Sequence, residues 1–300
     1  MDVVISGTVA FDTVKTPFGY EKDILGGSAT YASIAASRFC KAGVAGVVGA
    51  DFSDKYTNVF KKAKIDTLGI EVISDGKTFS WEGEYGKDFN NPETIATNLN
   101  VLADYKPKVP SSYVDCKFLF LANLDPDIQL DILGQFKKPR FVVCDTMNFW
   151  IVNKKKSLID LIKRVDFFLL NETEIRMLTD ETNILCAASK LMKYGLKGLI
   201  VKRGEYGAVM FTGNSVFCLP AYLLDKVYDP TGAGDSFAGG FIGYLAGQKT
   251  INSGVLRKAV VYGSVMATFA VEDFSVRGLV KNKLSDVNKR YKGFSKITGF

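Results

Sequence analysis

Three hundred residues, 47% hydrophobic and 23% charged, describe an ordinary globular chain. That length suits one large α/β domain with an insertion, or two small domains. The 38 Lys and Arg against 32 Asp and Glu leave a scattered net charge of +6, too mild for a nucleic-acid-binding stripe, and no apolar run reaches the roughly 18 residues of a membrane span.

Histidine is absent. Histidine triads, zinc–histidine centres and imidazole bases are thereby excluded, so acid–base chemistry falls to carboxylates, Lys, Tyr or Cys. The five cysteines are odd in number and form no Cys-x-x-Cys. They read as small buried hydrophobes in a reducing cytoplasm.

In chain order, Met1-Asp2-Val3-Val4-Ile5 lacks the basic start of a signal peptide and leads into a buried strand, Val3 to Ser6. That strand delivers residues 7–12, ending at Asp12, to a loop. Gly26-Gly27-Ser28 opens a helix expected to run to about Phe39. A glycine pair there serves either close approach by a polar ligand or a backbone turn with positive φ. Val44 to Val48 is the next strand, and a helix follows from Asp54 to about Lys64. The glycines at 46 and 49 lack the tight turn of a dinucleotide fingerprint. Residues 78–85 alternate, which puts Phe79, Trp81 and Tyr85 on one face of a half-buried strand. A polar run through Asn90, Asn91, Asn98 and Asn100 follows.

Three apolar strands come next, Phe118 to Leu121, Phe141 to Cys144 and Phe167 to Leu170. Each empties into polar groups: Asn123 and Asp125, Asp145 and Asn148, Asn171 and Glu174. Ligands of open parallel sheets bind at that edge, although Asn and Asp there are also ordinary helix caps. Leu199 to Lys202 is a further strand, and Gly204 and Gly207 turn it into Ala208 to Phe211, with Ser215 to Leu219 alongside. Helices are expected over 254–271 and, on the surface, 281–291.

The stretch with the most chemistry is Asp229-Pro230-Thr231-Gly232-Ala233-Gly234-Asp235. Its small residues keep side chains away from the start of a helix. The unpaired N–H groups there, aided by the helix dipole, form an anion cradle. Asp235 puts a carboxylate beside that cradle. A carboxylate facing a phosphoryl group orients a hydroxyl and accepts its proton. Gly239, Gly240 and Gly243 read instead as packing glycines on one helical face.

This run resembles the second signature of ribokinase-like (PfkB-type) carbohydrate kinases, Asp-Thr-x-Gly-Ala-Gly-Asp, with Pro230-Thr231 in place of Thr-x. The resemblance covers nearly the whole chain, with Asp12, Gly26-Gly27, the aromatic strand, Asn171-x-x-Glu174, the Gly204 hairpin and the cradle in family order. It implies one doubly wound, mostly parallel α/β domain over 1–300, with a small β lid from insertions at about 13–24 and 73–100. The implied activity is ATP-dependent phosphorylation of a hydroxyl on a small sugar or sugar derivative. A nucleoside kinase, or a non-catalytic nucleotide- or sugar-binding protein, is the alternative.

By the same resemblance Asp235 is the catalytic base. Lys202, Gly204, Gly232, Ala233 and Gly234 face ATP, and Asn171 and Glu174 position the water shell of its magnesium. Asp12, Gly26, Gly27, Asn123 and Asp125 hold the acceptor. Asp229 and Thr231 either bind potassium or cap the helix. The lid either packs on itself or makes a homodimer. Tyr31 stands where the family usually has Asn, which narrows the pocket and favours a compact sugar over a nucleoside. The helix dipole should keep Asp235 charged, hence a poor base before the reaction begins.

Overall fold

In a computed structural model that describes residues 1–86, 88–89, 92–213 and 215–298, the chain enters the middle of its main sheet. The first strand, β1 (Val3–Ser6), precedes a hairpin of β2 (Ala10–Thr16) and β3 (Gly19–Gly26). Next come α1 (Ser28–Ala36), β4 (Ala42–Gly49), α2 (Asp54–Lys62) and β5 (Asp66–Ile73), then β6 (Ser80–Glu84) and β7 (Glu93–Asn98), which join the hairpin. A regular alternation follows through β8 (Phe118–Leu121), α3 (Pro126–Gln135), β9 (Phe141–Asp145), α4 (Asn148–Asn153) and α5 (Lys155–Ile162). It continues with β10 (Phe167–Asn171), α6 (Glu172–Thr179), α7 (Ile184–Met192) and β11 (Gly198–Lys202). The antiparallel pair β12 (Ala208–Thr212) and β13 (Ser215–Leu219) leads to α8 (Ala233–Ala246), α9 (Ser253–Val271), α10 (Arg277–Lys281) and α11 (Leu284–Thr298).

Among the described residues, nine strands form the main sheet in the order β13-β12-β11-β10-β9-β8-β1-β4-β5. Its pairings are parallel from β5 to β11 and antiparallel beyond. A smaller sheet runs β3-β2-β6-β7. This is the doubly wound α/β fold with a β lid. The central strands read as unbroken apolar runs because both faces are covered. Val3, Ile5, Phe118, Phe120, Phe141, Val143, Phe167 and Leu169 pack on one side with α1, α8 and α9. Their alternating neighbours Val4, Leu119, Leu121, Val142, Cys144, Phe168 and Leu170 pack on the other with α3, α5, α6 and α7.

Several expectations are corrected here. Asp12 lies on a lid strand, β2, and not in a loop, because the hairpin begins at Ala10 and pairs Asp12 with Ile24. The strand β5 is not announced by its sequence. It is an edge strand with Leu68 and Val72 exposed, and its Gly69 leaves room for the Tyr113 ring. Cys186 and Cys218 are exposed, one in the first turns of α7 and one on edge strand β13, so only part of the cysteine set is buried. The final helix runs to Thr298, and the aromatic strand stops at Glu84. Asn90 and Asn91 lie outside the described residues. Helix α9 is long and apolar enough to cross a bilayer by length and composition, yet half of it is buried, packed against α8 and α11. Arg257 and Lys258 interrupt its apolar run, which is why a search for consecutive apolar residues passes over it.

The packing glycines of α8 occupy two faces. Side chains at Gly239 and Gly243 would strike the backbone of α1 at Ala32 and Ala36, whereas one at Gly240 would meet Met266 and Tyr262 of α9. The i, i+4 pair shares one face, and Gly240 is turned to the next helix. Gly239→Ala should therefore lower stability by about 1–3 kcal/mol, the usual scale of overpacking, read as a drop in thermal midpoint. Gly134→Ala, on α3 where nothing lies within 4 Å, is the control and should leave the midpoint unchanged or slightly raised. Equal midpoints for both variants would contradict the close α1–α8 contact.

Candidate active site

Three parallel strands end side by side in polar residues. Asn171 closes β10 in register with Lys202 at the end of β11, and Asp145 closes β9 beside Leu169. Asn171 and Glu174 form a reciprocal capping box. The Glu174 N–H donates to Asn171 Oδ1 at 2.8 Å, and the Asn171 N–H donates to Glu174 Oε2 at 2.7 Å. Glu174 is buried while Asn171 faces solvent. The Lys202 ammonium donates to Asp145 Oδ2 at 2.6 Å, with the two side chains only 17% and 3% exposed.

Helix α8 begins opposite this edge. Gly232 is its N-cap at φ 74°, a left-handed conformation that glycine adopts freely. A Cβ there would also collide with the face of the Tyr31 ring. Thr231 is thus not the cap. Its hydroxyl donates to Tyr85 Oη at 3.2 Å, tying the cradle to the lid, and its N–H donates to Asp229 Oδ1 at 2.9 Å. The Ala233 N–H turns back to the Pro230 carbonyl at 3.2 Å. The Gly234 N–H has no partner among the described residues. The position of a Cβ on Gly234 lies 3.1 Å from Lys202 Nζ, so the ammonium sits directly against the cradle.

The corner where the sequence resemblance puts the acceptor is built by β2, β3 and the start of α1. A side chain on Gly26 would run into the Asp12 carboxylate, and one on Gly27, at φ 95°, would meet Thr8 O and Ala10 N. Asp12 is 4% exposed and accepts from the Gly27 N–H. Ser28 staples this corner. Its N–H donates to Thr8 Oγ1 at 2.9 Å, the Thr8 N–H donates to Ser28 Oγ at 3.1 Å, and Ser28 Oγ donates to the Asn123 carbonyl at 3.0 Å. Asn123 Oδ1 in turn accepts from Trp150 Nε1 at 3.0 Å. Asp125 caps α3 through the Asp127 N–H and lies 3.5 Å from Lys154 Nζ. Gly204 sits at an exposed turn with φ 52°.

Electrostatics unite the two sides. Burial lifts Asp12 to about 8, with Asp229 and Asp235 adding to the rise. Burial also lifts Asp235 to about 7, helped by Asp145 and opposed by Lys202. The expectation of a dipole-stabilised carboxylate at Asp235 is therefore overturned, since desolvation and a neighbouring carboxylate outweigh the helix start. Glu174 rises to about 7 for the same first reason. Burial alone would push the Lys202 ammonium toward neutrality, but Asp145 and Glu174 hold it above its ordinary value. Asp145 was an even choice between contact and turn from sequence; a carboxylate closing an apolar strand is the only signal it offers. Tyr31, expected at the wall of the acceptor pocket, packs on Gly232, and Tyr85, expected on the aromatic face of the lid strand, meets Thr231. Their meeting at the cradle is a tertiary outcome that neither local pattern gives.

Comparison with known proteins agrees with this geometry. The profile of the pfkB family of carbohydrate kinases matches residues 4–282. A cytidine kinase of Thermococcus kodakarensis is 29% identical over 254 residues, covering 83% of this chain and 90% of that protein. Among solved structures, the Methanocaldococcus jannaschii nucleoside kinase superposes with a TM-score of 0.77 at 21% identity, covering 98% of this chain and 99% of its own. An Escherichia coli structure described as a ribokinase II in complex with ATP and Mg2+ gives 0.80 at 19% identity, covering 97% and 99%.

Because Asp12 and Asp235 bind protons more tightly folded than unfolded, where carboxyls titrate near 4, the ligand-free protein should lose stability as pH rises from about 4 to about 8. Asp12→Asn should flatten that decline, seen in thermal midpoints across the range. An unaltered slope would show that Asp12 ionises normally in the fold.

Proposed function

The chain belongs to the pfkB family of carbohydrate kinases and is an ATP-dependent kinase; we propose that its acceptor is a hydroxyl of a small sugar or sugar derivative. The observation that carries this reading is the meeting of two half-sites. The cradle, with Asp235, Lys202 and a Gly234 N–H that has no partner among the described residues, lies near enough to the Asp12 and Gly27 corner for Asp235 to add to the raised proton affinity of Asp12.

Asp12 and the Gly26-Gly27 turn would hold the acceptor against the lid. Asp235 would orient the attacking hydroxyl and take its proton, and an affinity near neutrality suits that task. Gly232, Ala233 and Gly234 would receive the transferred phosphoryl group at the helix N-terminus, with Lys202 neutralising charge as it develops. Gly204 would border the nucleotide from the β11–β12 turn.

The residues present fit a hydrated magnesium ion. Glu174 keeps one carboxylate oxygen after accepting from Asn171, and among the described residues no group of three or more Asp, Glu, Cys or His could cage a bare ion. Magnesium retains several waters at such sites. Bound with ATP, it supplies neutralising charge to the phosphates.

A nucleoside is the second reading, favoured by one observation. Trp150 is half-buried and anchored to Asn123, whose own carbonyl holds Ser28 at the acceptor corner, so an aromatic ring borders that side. Tyr31 is buried and packs on Gly232 at the cradle. The Thermococcus kodakarensis relative aligned above is a cytidine kinase.

Asp235→Asn should retain ATP affinity and lose turnover by a factor on the order of 10² or more; turnover near wild type would remove Asp235 from the mechanism. ADP release across sugars, sugar phosphates and nucleosides assigns the acceptor. A nucleoside turned over far faster than every free sugar would overturn the sugar reading and leave the kinase intact.

Potassium at Asp229 and Thr231 is also part of this proposal. Asp229 and Asp12 are both buried and neither has a cation within bonding distance among the described residues, an excess that a monovalent cation would relieve. Turnover should rise when potassium replaces a bulky organic cation at equal ionic strength. Equal rates would dismiss the ion.

A further inference from the structure

Asp145 is absent from the acceptor and nucleotide contacts argued above, yet the structure holds it with unusual completeness. Its Oδ1 accepts from the Thr146 N–H at 2.9 Å, and its carbonyl accepts from Gln129 Nε2 at 3.2 Å. The same Gln129 amide bonds the carbonyls of Leu121 and Ala122 at 3.2 and 2.9 Å, so β8 and β9 are locked together where they end. The remaining oxygen, Oδ2, meets Lys202 Nζ at 2.6 Å.

The partner of Asp145, Lys202, carries a point charge on a four-carbon stem that, of the two side chains, has the more rotamers to choose from. Its ammonium lies against Gly234 of the cradle. Two other carboxylates, Glu174 and Asp235, are near enough to be pulled toward ionisation by it. A buried ion pair is weak evidence for stability, since apolar replacements usually serve as well. What Asp145 decides is where among these carboxylates the ammonium rests.

We propose that Asp145 is a positioning residue for phosphoryl transfer, acting through Lys202. It holds the ammonium beside Gly234, where the transferred group lies, and keeps it from pairing with Asp235 or Glu174. The assignment rests on the kinase reading for the location of that group, but ATP affinity tests it without any acceptor.

The experiment is a double-mutant cycle of Asp145→Asn and Lys202→Met, read in ATP affinity by calorimetry, in turnover and in thermal midpoint. Asp145→Asn alone should leave ATP affinity unchanged or tighter, because the cation remains and one negative charge facing the phosphates is gone. Its turnover should fall on the order of tenfold or more, the consequence of a misplaced catalytic group. Lys202→Met alone should weaken ATP binding on the order of tenfold or more, since it removes a charged donor and leaves the Asp145 carboxylate unpaired. Adding Asp145→Asn to that variant should recover most of the lost ATP affinity without slowing turnover further. Equal effects of Asp145→Asn in both backgrounds would overturn the proposal. So would a lowered midpoint with turnover and ATP affinity untouched, which is what a purely structural pair predicts. Failure of every acceptor would sink the kinase reading alone, because the affinity cycle still reports whether the two residues are coupled.

Discussion

The contact between α1 and α8 sets the distance between the two halves of this site. Both helices begin at the C-terminal edge of the main sheet, one with Gly27-Ser28 and the other with Gly232 to Asp235. They run side by side in the same direction, with Gly239 against Ala32 and Gly243 against Ala36. Backbone meets backbone because neither glycine interposes a side chain. Any larger residue would separate the helices along their length, and with them the Asp12–Gly27 corner and the Gly232–Asp235 helix start. An in-line transfer tolerates little such displacement.

Charge is the second constraint. Asp145, Glu174 and Asp235 gather around Lys202, Asp229 and Asp235 in turn act on Asp12, and burial raises the proton affinity of every one of these carboxyls. Such an arrangement costs stability, because each group prefers water when charged. It is the arrangement expected of a site completed by cations and by a substrate hydroxyl with a proton to give away. The excess is distributed, with Asp12 and Asp229 on the lid side and Asp145 and Glu174 at the ends of β9 and β10, and Asp235 between them.

The lid is connected to the cradle through few, specific contacts. Tyr85, just beyond the end of β6, is buried and accepts from Thr231. Ser275 donates to the Leu25 carbonyl of β3 through Oγ at 2.5 Å and to Asp229 through its N–H at 3.4 Å. Phe274 packs with Val14 and Tyr85 beneath the small sheet. The segment after α9 thus touches both the lid and the turn before α8. Movement of the lid would be felt at Asp229 and Thr231 through these bonds.

The order of apolar strands, the polar residues that end them and the glycine-rich helix start are local properties, and they were legible in the sequence. Period-two burial on both faces turns each central strand into a short unbroken apolar run, and a helix that begins at Gly232-Ala233-Gly234 can only present backbone. The resemblance to a kinase family stood on that local chemistry. Tertiary structure alone decided the rest. Asp12 joined a strand because its hairpin partner lies across a turn, and β5 formed at an edge where its own alternation is weak. Asp145 became a partner of Lys202, and Asp235 acquired a proton affinity near neutrality, against the pull of its own helix dipole. Those outcomes depend on desolvation and on charges brought together from residues far apart in sequence, which no local pattern encodes.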